Sequence, residues 1–353
     1  MPKLMLPSFT PSVAIIIPID FRRRCSQIKH RLKELAGSVV GTEFFLIVAY
    51  SHDKESEKWL KDGENTWGRG VLETVPVFGT SSMPELARLR NEAVKKTDAE
   101  YILLLDVDIL ADIDTFRELV KDAKQGDGFS MAPCFYLTNS GNGRIKKYGK
   151  KIIIKEYLNF SFDSVMHVAR PSSVVSMKRE DYWAAGGFCE KYNGHGYEDF
   201  DFLIRMAIYK NRPLNYNVID VDETYRSPLL SIGFRAELAK LCVNNLLDGN
   251  IVFHLYHDKN KRDFYYKKRE NNKLIFKNRI DAFKEISLND EFDISLVEYF
   301  IKFCKEKNKN YIDYSSLFDA RPRHHLVKIN FLKRIFKVSI LPYLSATLAP
   351  TQK

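Results

Sequence analysis

Tyr101-Ile102-Leu103-Leu104-Leu105-Asp106-Val107-Asp108 is an apolar run that stops in two carboxylates one residue apart. A run apolar on both faces suits a strand buried in a parallel sheet. Ligands of open α/β sheets gather beyond the carboxyl ends of such strands. Asp106 and Asp108 therefore stand where a divalent cation bridging a diphosphate can be held. A D-x-D triplet elsewhere can merely cap a helix or close a turn, so its position gives this one its meaning.

The surrounding sequence supplies the rest of that sheet. Residues 13–18 (Val-Ala-Ile-Ile-Ile-Pro) and 43–50 (Glu-Phe-Phe-Leu-Ile-Val-Ala-Tyr) read as two further buried strands. Ile28, Leu32 and Leu35 recur between them at helical spacing, and a strand-helix-strand order requires a crossover and a parallel pair. Pro84-Glu85 opens a second helix through Leu86, Leu89 and Ala93, which leads back to the strand at 101. The expected fold class is α/β, a Rossmann-like, mostly parallel sheet flanked by helices. Downstream, Asp114 is expected to cap a helix bearing Phe116, Leu119 and Val120. Residues 126–150, rich in Gly, Asn and Lys, read as a loop or hairpin, followed by a strand at 152–154. A strand at 173–177, a helix to Ala185, a Gly186-Gly187 break and a helix from Glu198 to Tyr209 follow, with strands near 216–221 and 251–255. This suggests a catalytic domain over 1–284, with a nucleotide half at about 12–125 and an acceptor half at about 126–260. A helical, basic extension would occupy 285–353.

Composition narrows the function classes. With 45% apolar residues, 24 Phe and 18 Tyr in 353 residues, the bulk of the chain has enough apolar surface to fold. Lys and Arg outnumber Asp and Glu by 55 to 45, a formal charge of +10, which favours phosphorylated small molecules, anionic lipid or polyanions. No nucleic-acid-binding module is recognisable. The five cysteines form no CxxC pair, which argues against a cysteine zinc site and for a reducing compartment. No stretch is long enough to span a bilayer and the N-terminus lacks the apolar core of a signal peptide, so a cytoplasmic location is expected. Residues 321–337 carry six Lys/Arg, two His and no acid, a pattern suited to packing on the domain, to peripheral membrane contact or to an oligomer interface.

Three other segments carry chemistry. Gly194-His195-Gly196-Tyr197-Glu198-Asp199-Phe200-Asp201 places three acids at a helix start, where the dipole favours them. The two glycines would let the backbone approach a ligand, with Glu198 and Asp199 binding an acceptor sugar and removing its proton, while Asp201 turns away into a structural role. Phe253-His254-Leu255-Tyr256-His257-Asp258 offers two imidazoles, of which one is expected to reach a metal. Arg22-Arg23-Arg24 after the first strand could meet phosphate or form an exposed basic turn.

Taken in order, Ile-Ile-Ile-Pro, Leu-Ala-Arg-Leu-Arg-Asn-Glu-Ala, Leu-Leu-Asp-Val-Asp, Ala-Gly-Gly-Phe, Gly-Tyr-Glu-Asp-Phe-Asp-Phe and His-Leu-Tyr-His resemble GT-A fold glycosyltransferases. The likeness covers roughly residues 12–260. It is nearest to bacterial family-two enzymes of capsule and surface polysaccharide synthesis, with a Gly-Gly/Glu-Asp segment like that of animal β-galactosyltransferases and polypeptide GalNAc-transferases. The resemblance implies a nucleotide-sugar donor, a UDP-sugar foremost, an oligosaccharide or lipid-linked saccharide acceptor, and Mn²⁺ or Mg²⁺ as cofactor. It implies Asp106, Asp108 and His257 at the metal, with His254 as the rival imidazole and Asp106 also near the ribose. Asp199 matches the catalytic base and Glu198 its acceptor-binding neighbour. Pro18, Asp20, Arg22 and Arg24 fall at the nucleotide, and Arg88 and Asn91 near it. Where the galactosyltransferases carry a Pro-Phe-Arg turn this chain has Pro-Ile-Asp-Phe-Arg-Arg-Arg, so no single arginine follows from the likeness. Two alternatives remain at this level. A sugar-phosphate nucleotidyltransferase would want a glycine-rich loop after the first strand, and residues 18–25 hold no glycine. A non-catalytic membrane- or polyanion-binding protein is allowed by the charge.

Overall fold

The computed structural model describes residues 12–319 apart from 69, 80–82, 127, 213, 224–226, 259–263 and 285–293. The chain opens with β1 (Val13–Ile19), α1 (Cys25–Val39), β2 (Phe44–Ser51), α2 (Lys54–Trp67), β3 (Leu72–Val77), α3 (Leu86–Lys96) and β4 (Tyr101–Leu104). Every residue of β1 is buried, as its unbroken apolar sequence requires. It runs parallel to β2 on one side and to β4 on the other, and β2 runs parallel to β3. Next come α4 (Ile113–Gln125), β5 (Phe129–Met131), β6 (Cys134–Leu137), α5 (Asn139–Tyr148), α6 (Lys150–Leu158), β7 (Val165–Ala169), β8 (Val175–Lys178), α7 (Arg179–Ala184) and α8 (Glu198–Tyr209). The described chain closes with α9 (Phe234–Lys240), α10 (Val243–Asp248), β9 (Val252–His254), α11 (Phe264–Lys267), α12 (Arg269–Lys284), α13 (Leu296–Glu306) and a 3₁₀ segment, Tyr311–Phe318.

The main sheet has the order β3-β2-β1-β4-β8-β5, with β8 antiparallel to both β4 and β5. A second sheet, β7-β6-β9, pairs β6 antiparallel to β7 and parallel to β9. Helices α1 and α4 bury their apolar stripes on one face of the main sheet, and α3, α7 and α8 on the other. A third core joins the second sheet to α5, α6, α9, α10 and α13. The mixed α/β sheet between helical layers is the expected class, consistent with a GT-A glycosyltransferase fold.

Several local expectations are corrected. The cap of α4 is Asp112, whose carboxylate accepts from the Thr115 amide at 3.3 Å, and not Asp114. Residues 139–158 form two helices rather than a loop and a strand. The Thr138 hydroxyl accepts from the Gly141 amide at 2.9 Å to start α5, and Gly149, at φ 76°, separates it from α6. The isoleucines at 152–154 are helical: Ile153 and Tyr157, four apart, face the core while Ile152 stays exposed. The strand expected near 216–221 is a 3₁₀ turn, Tyr216–Val218, started by the Asn215 side chain. Among the described residues no helix is long and apolar enough to cross a membrane. The basic stretch at 321–337 lies outside the described residues.

Candidate active site

The residues after β4 run on beside β9. The Leu110 amide donates to the Phe253 carbonyl at 2.8 Å and the Leu255 amide to the Asp108 carbonyl at 2.8 Å. Ile109 pairs with His254 in an isolated antiparallel bridge. These bonds lay the histidine segment against the end of the D-x-D strand although about 150 residues of chain separate them. Among the described residues, ligand atoms of Asp108, His254 and His257 lie within 4.8 Å of one another, and all three residues are buried. Both imidazoles thus reach Asp108, where the sequence led us to expect one.

The donor set fits a divalent cation. Nδ1 of His254 is 2.8 Å from the Leu255 carbonyl and Nδ1 of His257 is 3.0 Å from the Asp258 carbonyl. A proton on Nδ1 donated to those carbonyls makes Nε2 the basic nitrogen, as in metal-ligating histidines. Nε2 of His257 is 3.5 Å from Asp108 Oδ2. Stacking on Tyr136, at 4.2 Å between ring centroids, fixes the plane of the His254 ring. An oxygen and two imidazole nitrogens suit Mn²⁺ or a similar ion. Asp106, expected among the ligands, is instead engaged elsewhere: it accepts from Arg90 at 2.9 Å and from the Ser173 hydroxyl at 2.8 Å.

Asp108 already has cationic partners. Arg24 donates to both its oxygens, at 3.0 and 2.8 Å, and Arg31 is paired with the same carboxylate. Asp20 accepts from the Arg22 amide at 3.0 Å and from the Arg22 guanidinium, so these two residues satisfy each other at the rim. Pro18, Asp20, Arg22, Arg24, Asp106 and Asp108 line one crevice of about 730 Å³, and Glu198, Asp199, His254 and His257 line the same crevice.

The acceptor side is built at the start of α8. Tyr197 enters the helix in the left-handed conformation at φ 76°, presenting Glu198 and Asp199 to the crevice. Glu198 is 7% exposed, sits 3.5 Å from Arg90, and its Oε2 has no hydrogen-bond partner among the described residues. Burial, then the neighbouring Asp199 charge, push its carboxyl up to about 7, against the pull of Arg90. Burial also raises Asp199, opposed by Arg90 and by the Phe200 amide at 3.0 Å. Asp106 goes the other way: burial alone would raise it, but the Arg90 charge and the Ser173 hydroxyl hold it below its usual value. Asp201 is fully buried between Arg205 and Arg279, at 2.8 and 2.5 Å, in the structural role expected.

Two sequence readings move off the crevice and a third changes its reason. Gly194 and Gly196 have φ of 75° and 92°, and a Cβ would meet the Tyr265 carbonyl at 2.9 Å in one case and the Arg269 guanidinium in the other. They make room for α11 and α12, and of the two only Gly196 lines the crevice. Arg88 turns outward to Glu85, at 3.1 Å, and to the Phe78 carbonyl, at 2.9 Å. Asn91 is buried behind the crevice, accepting from the Tyr182 hydroxyl at 2.6 Å and the Phe188 amide at 2.9 Å and donating to the Phe188 carbonyl at 3.0 Å. It pins the Gly-Gly-Phe turn.

A family model described as "Glycosyltransferase like family 2" matches residues 14–284. The chain belongs to this glycosyltransferase family. No curated protein matches the sequence. Solved structures with a similar fold include the mannosyltransferase PcManGT from Pyrobaculum calidifontis in complex with GDP-Man and Mn²⁺, at 11% identity and a TM-score of 0.43, covering 96% of this chain and 84% of that one. Glucosyl-3-phosphoglycerate synthase from Mycobacterium tuberculosis, in complex with phosphoglyceric acid, shares 12% identity at a TM-score of 0.35, with 79% and 82% covered. TarS of S. aureus shares 14% identity at a TM-score of 0.36; 56% of this chain matches, and it spans 34% of TarS.

Membership sets aside the nucleotidyltransferase and the non-catalytic binder. It also gives weight to residues of this glycosyltransferase that the sequence reading passed over. Arg90, 3% exposed, reaches Asp106 and Glu198 with one guanidinium. Its signal was helical phase: Ala87, Arg90, Asn91 and Val94 share the buried face of α3, and Arg88 does not. Arg31 on α1 had a like signal beside Ile28 and Leu35.

Proposed function

We propose that this glycosyltransferase moves a sugar from a UDP-sugar to a saccharide hydroxyl with inversion at the anomeric carbon, in capsule or surface polysaccharide synthesis, and that Mn²⁺ or Mg²⁺ is its cofactor. One observation carries the reading: Asp108, His254 and His257 meet Glu198 and Asp199 in a single crevice. The uridine donor and the polysaccharide acceptor follow from the resemblance of the sequence motifs.

Asp108, His254 and His257 would hold the cation, which when bound supplies Lewis acidity toward the leaving diphosphate. Pro18, Asp20, Arg22 and Arg24 frame the nucleotide end, and Asp106 beneath them is kept ionised by Arg90. The acceptor oxygen attacks the anomeric carbon from the face opposite the diphosphate. As that bond forms, the bond to the diphosphate breaks with its electron pair on the leaving oxygen, and the hydroxyl proton passes to Asp199. Glu198, protonated for part of the time near neutral pH, donates a hydrogen bond to the acceptor. No covalent enzyme intermediate forms.

Thermal-shift screening of uridine, guanosine and cytidine sugars with and without Mn²⁺ tests the donor, because a ligand that binds the folded state stabilises it by mass action. A metal-dependent rise with a UDP-sugar is expected, and a flat profile across all three contradicts the reading. Asp199→Asn should lower turnover by about 10²–10⁴-fold while preserving the donor-induced shift. Turnover at the wild-type rate removes Asp199 from the mechanism.

A further inference from the structure

We infer that Arg24 and Arg31 hold the place of the divalent cation at Asp108, so that the crevice admits a cation together with a nucleotide diphosphate and disfavours the free ion. This rests on the metal and donor reading above.

Charge around Asp108 is unbalanced. Asp108 is 5% exposed and is one carboxylate. Arg24 engages both its oxygens and Arg31 the same group, so two guanidiniums share one negative charge and the pocket floor is already net positive. Asp106 gives neither guanidinium a hydrogen-bonded contact, because its oxygens accept from Arg90 and Ser173. Arg31 is held in place from behind, donating to the Tyr256 carbonyl at 2.7 Å in the segment that joins His254 to His257.

A lone divalent ion at Asp108, His254 and His257 would thus be a third positive centre around a single carboxylate in a poorly screened crevice. A nucleoside diphosphate changes the count. It brings enough negative charge for the ion, and its oxygens give Arg24 a bidentate partner to replace Asp108. Cation and nucleotide then raise each other's affinity, and the linkage is reciprocal.

The test is Mn²⁺ binding to the full chain, followed by the electron paramagnetic resonance signal of free Mn²⁺, with and without UDP and corrected for Mn²⁺ held by UDP itself. Wild type should bind Mn²⁺ about tenfold or more tightly with UDP than without it. Arg31→Gln should tighten nucleotide-free binding by about tenfold and shrink the UDP effect to match. Should Arg31→Gln fail to fold, by circular dichroism, Arg24→Gln at the more exposed partner carries the same expectation. If wild type binds Mn²⁺ with UDP and neither variant gains nucleotide-free affinity, the place-holder role is wrong and the donor-site reading stands. If no form of the protein binds Mn²⁺ with or without UDP, both are wrong.

Discussion

The two walls of the crevice treat their carboxylates in opposite ways. On the donor wall Asp108 has two guanidiniums and Asp106 has Arg90 and a hydroxyl, so cations outnumber the acids they serve. On the acceptor wall Glu198 and Asp199 are adjacent, partly desolvated, and share what remains of the same Arg90, with Glu198 Oε2 lacking a hydrogen-bond partner among the described residues. On one wall Arg90 and Ser173 hold Asp106 below its usual range and two guanidiniums face Asp108. The other raises its acids toward neutrality, where a carboxyl can exchange a proton with a sugar hydroxyl. Buried acids within one cavity therefore do different work according to how many cations face each of them.

Removing the shared cation should break this contrast most severely. Arg90→Met leaves Asp106 and Glu198 buried without their ion pair, and loss of one partner of a buried pair costs about 3–5 kcal/mol. Urea denaturation should show a loss of that order; a loss below about 1 kcal/mol, the range of exposed pairs, would mean Arg90 does not bind the walls together.

Near neutral pH the acceptor wall should set a pH dependence. Glu198 is raised from its ordinary value of 4.5 to about 7, so the folded state favours its protonated form. The stability this contributes is full below about 4.5 and is lost as pH rises through 7. Between pH 5 and 8 wild type should lose up to roughly 3 kcal/mol relative to Glu198→Gln, which cannot ionise. Parallel pH profiles for the two proteins would show that Glu198 titrates normally. Smallest of all should be Arg88→Ala, two residues from Arg90 on α3 but outside the crevice: a change within about 0.5 kcal/mol and an unaltered donor-induced shift. A lost donor response would return Arg88 to the site.

These contrasts mark what the sequence could and could not convey. Strands β1, β2 and β4 and helices α1, α3 and α8 were legible because continuous apolar runs and 3.6-residue spacing each have one structural solution there. β3 was missed: it is a sheet edge containing Pro76, half-buried and without a clean alternation. Helix α6 was misread because three successive isoleucines mimic a strand, and only burial shows that Ile152 faces outward. At the candidate site, Asp108, His257, Glu198 and Asp199 were singled out by their motifs, and all four line the crevice. His254 was left as the rival imidazole, because strand periodicity cannot anticipate the turn after β9 that brings both rings to Asp108. The arginine partners were chosen by tertiary packing: Arg88 and Arg90 are chemically alike in sequence, and the rotation of α3 decides between them.

One crevice should hold cation and acceptor chemistry side by side, and anomalous diffraction from crystals soaked with Mn²⁺ and UDP would reveal whether it does. A manganese peak coordinated by Asp108, His254 and His257 is expected, with the diphosphate on the Arg24 side and Asp199 facing it across the crevice. A peak at Glu198 and Asp199, or none beside Asp108, would contradict it.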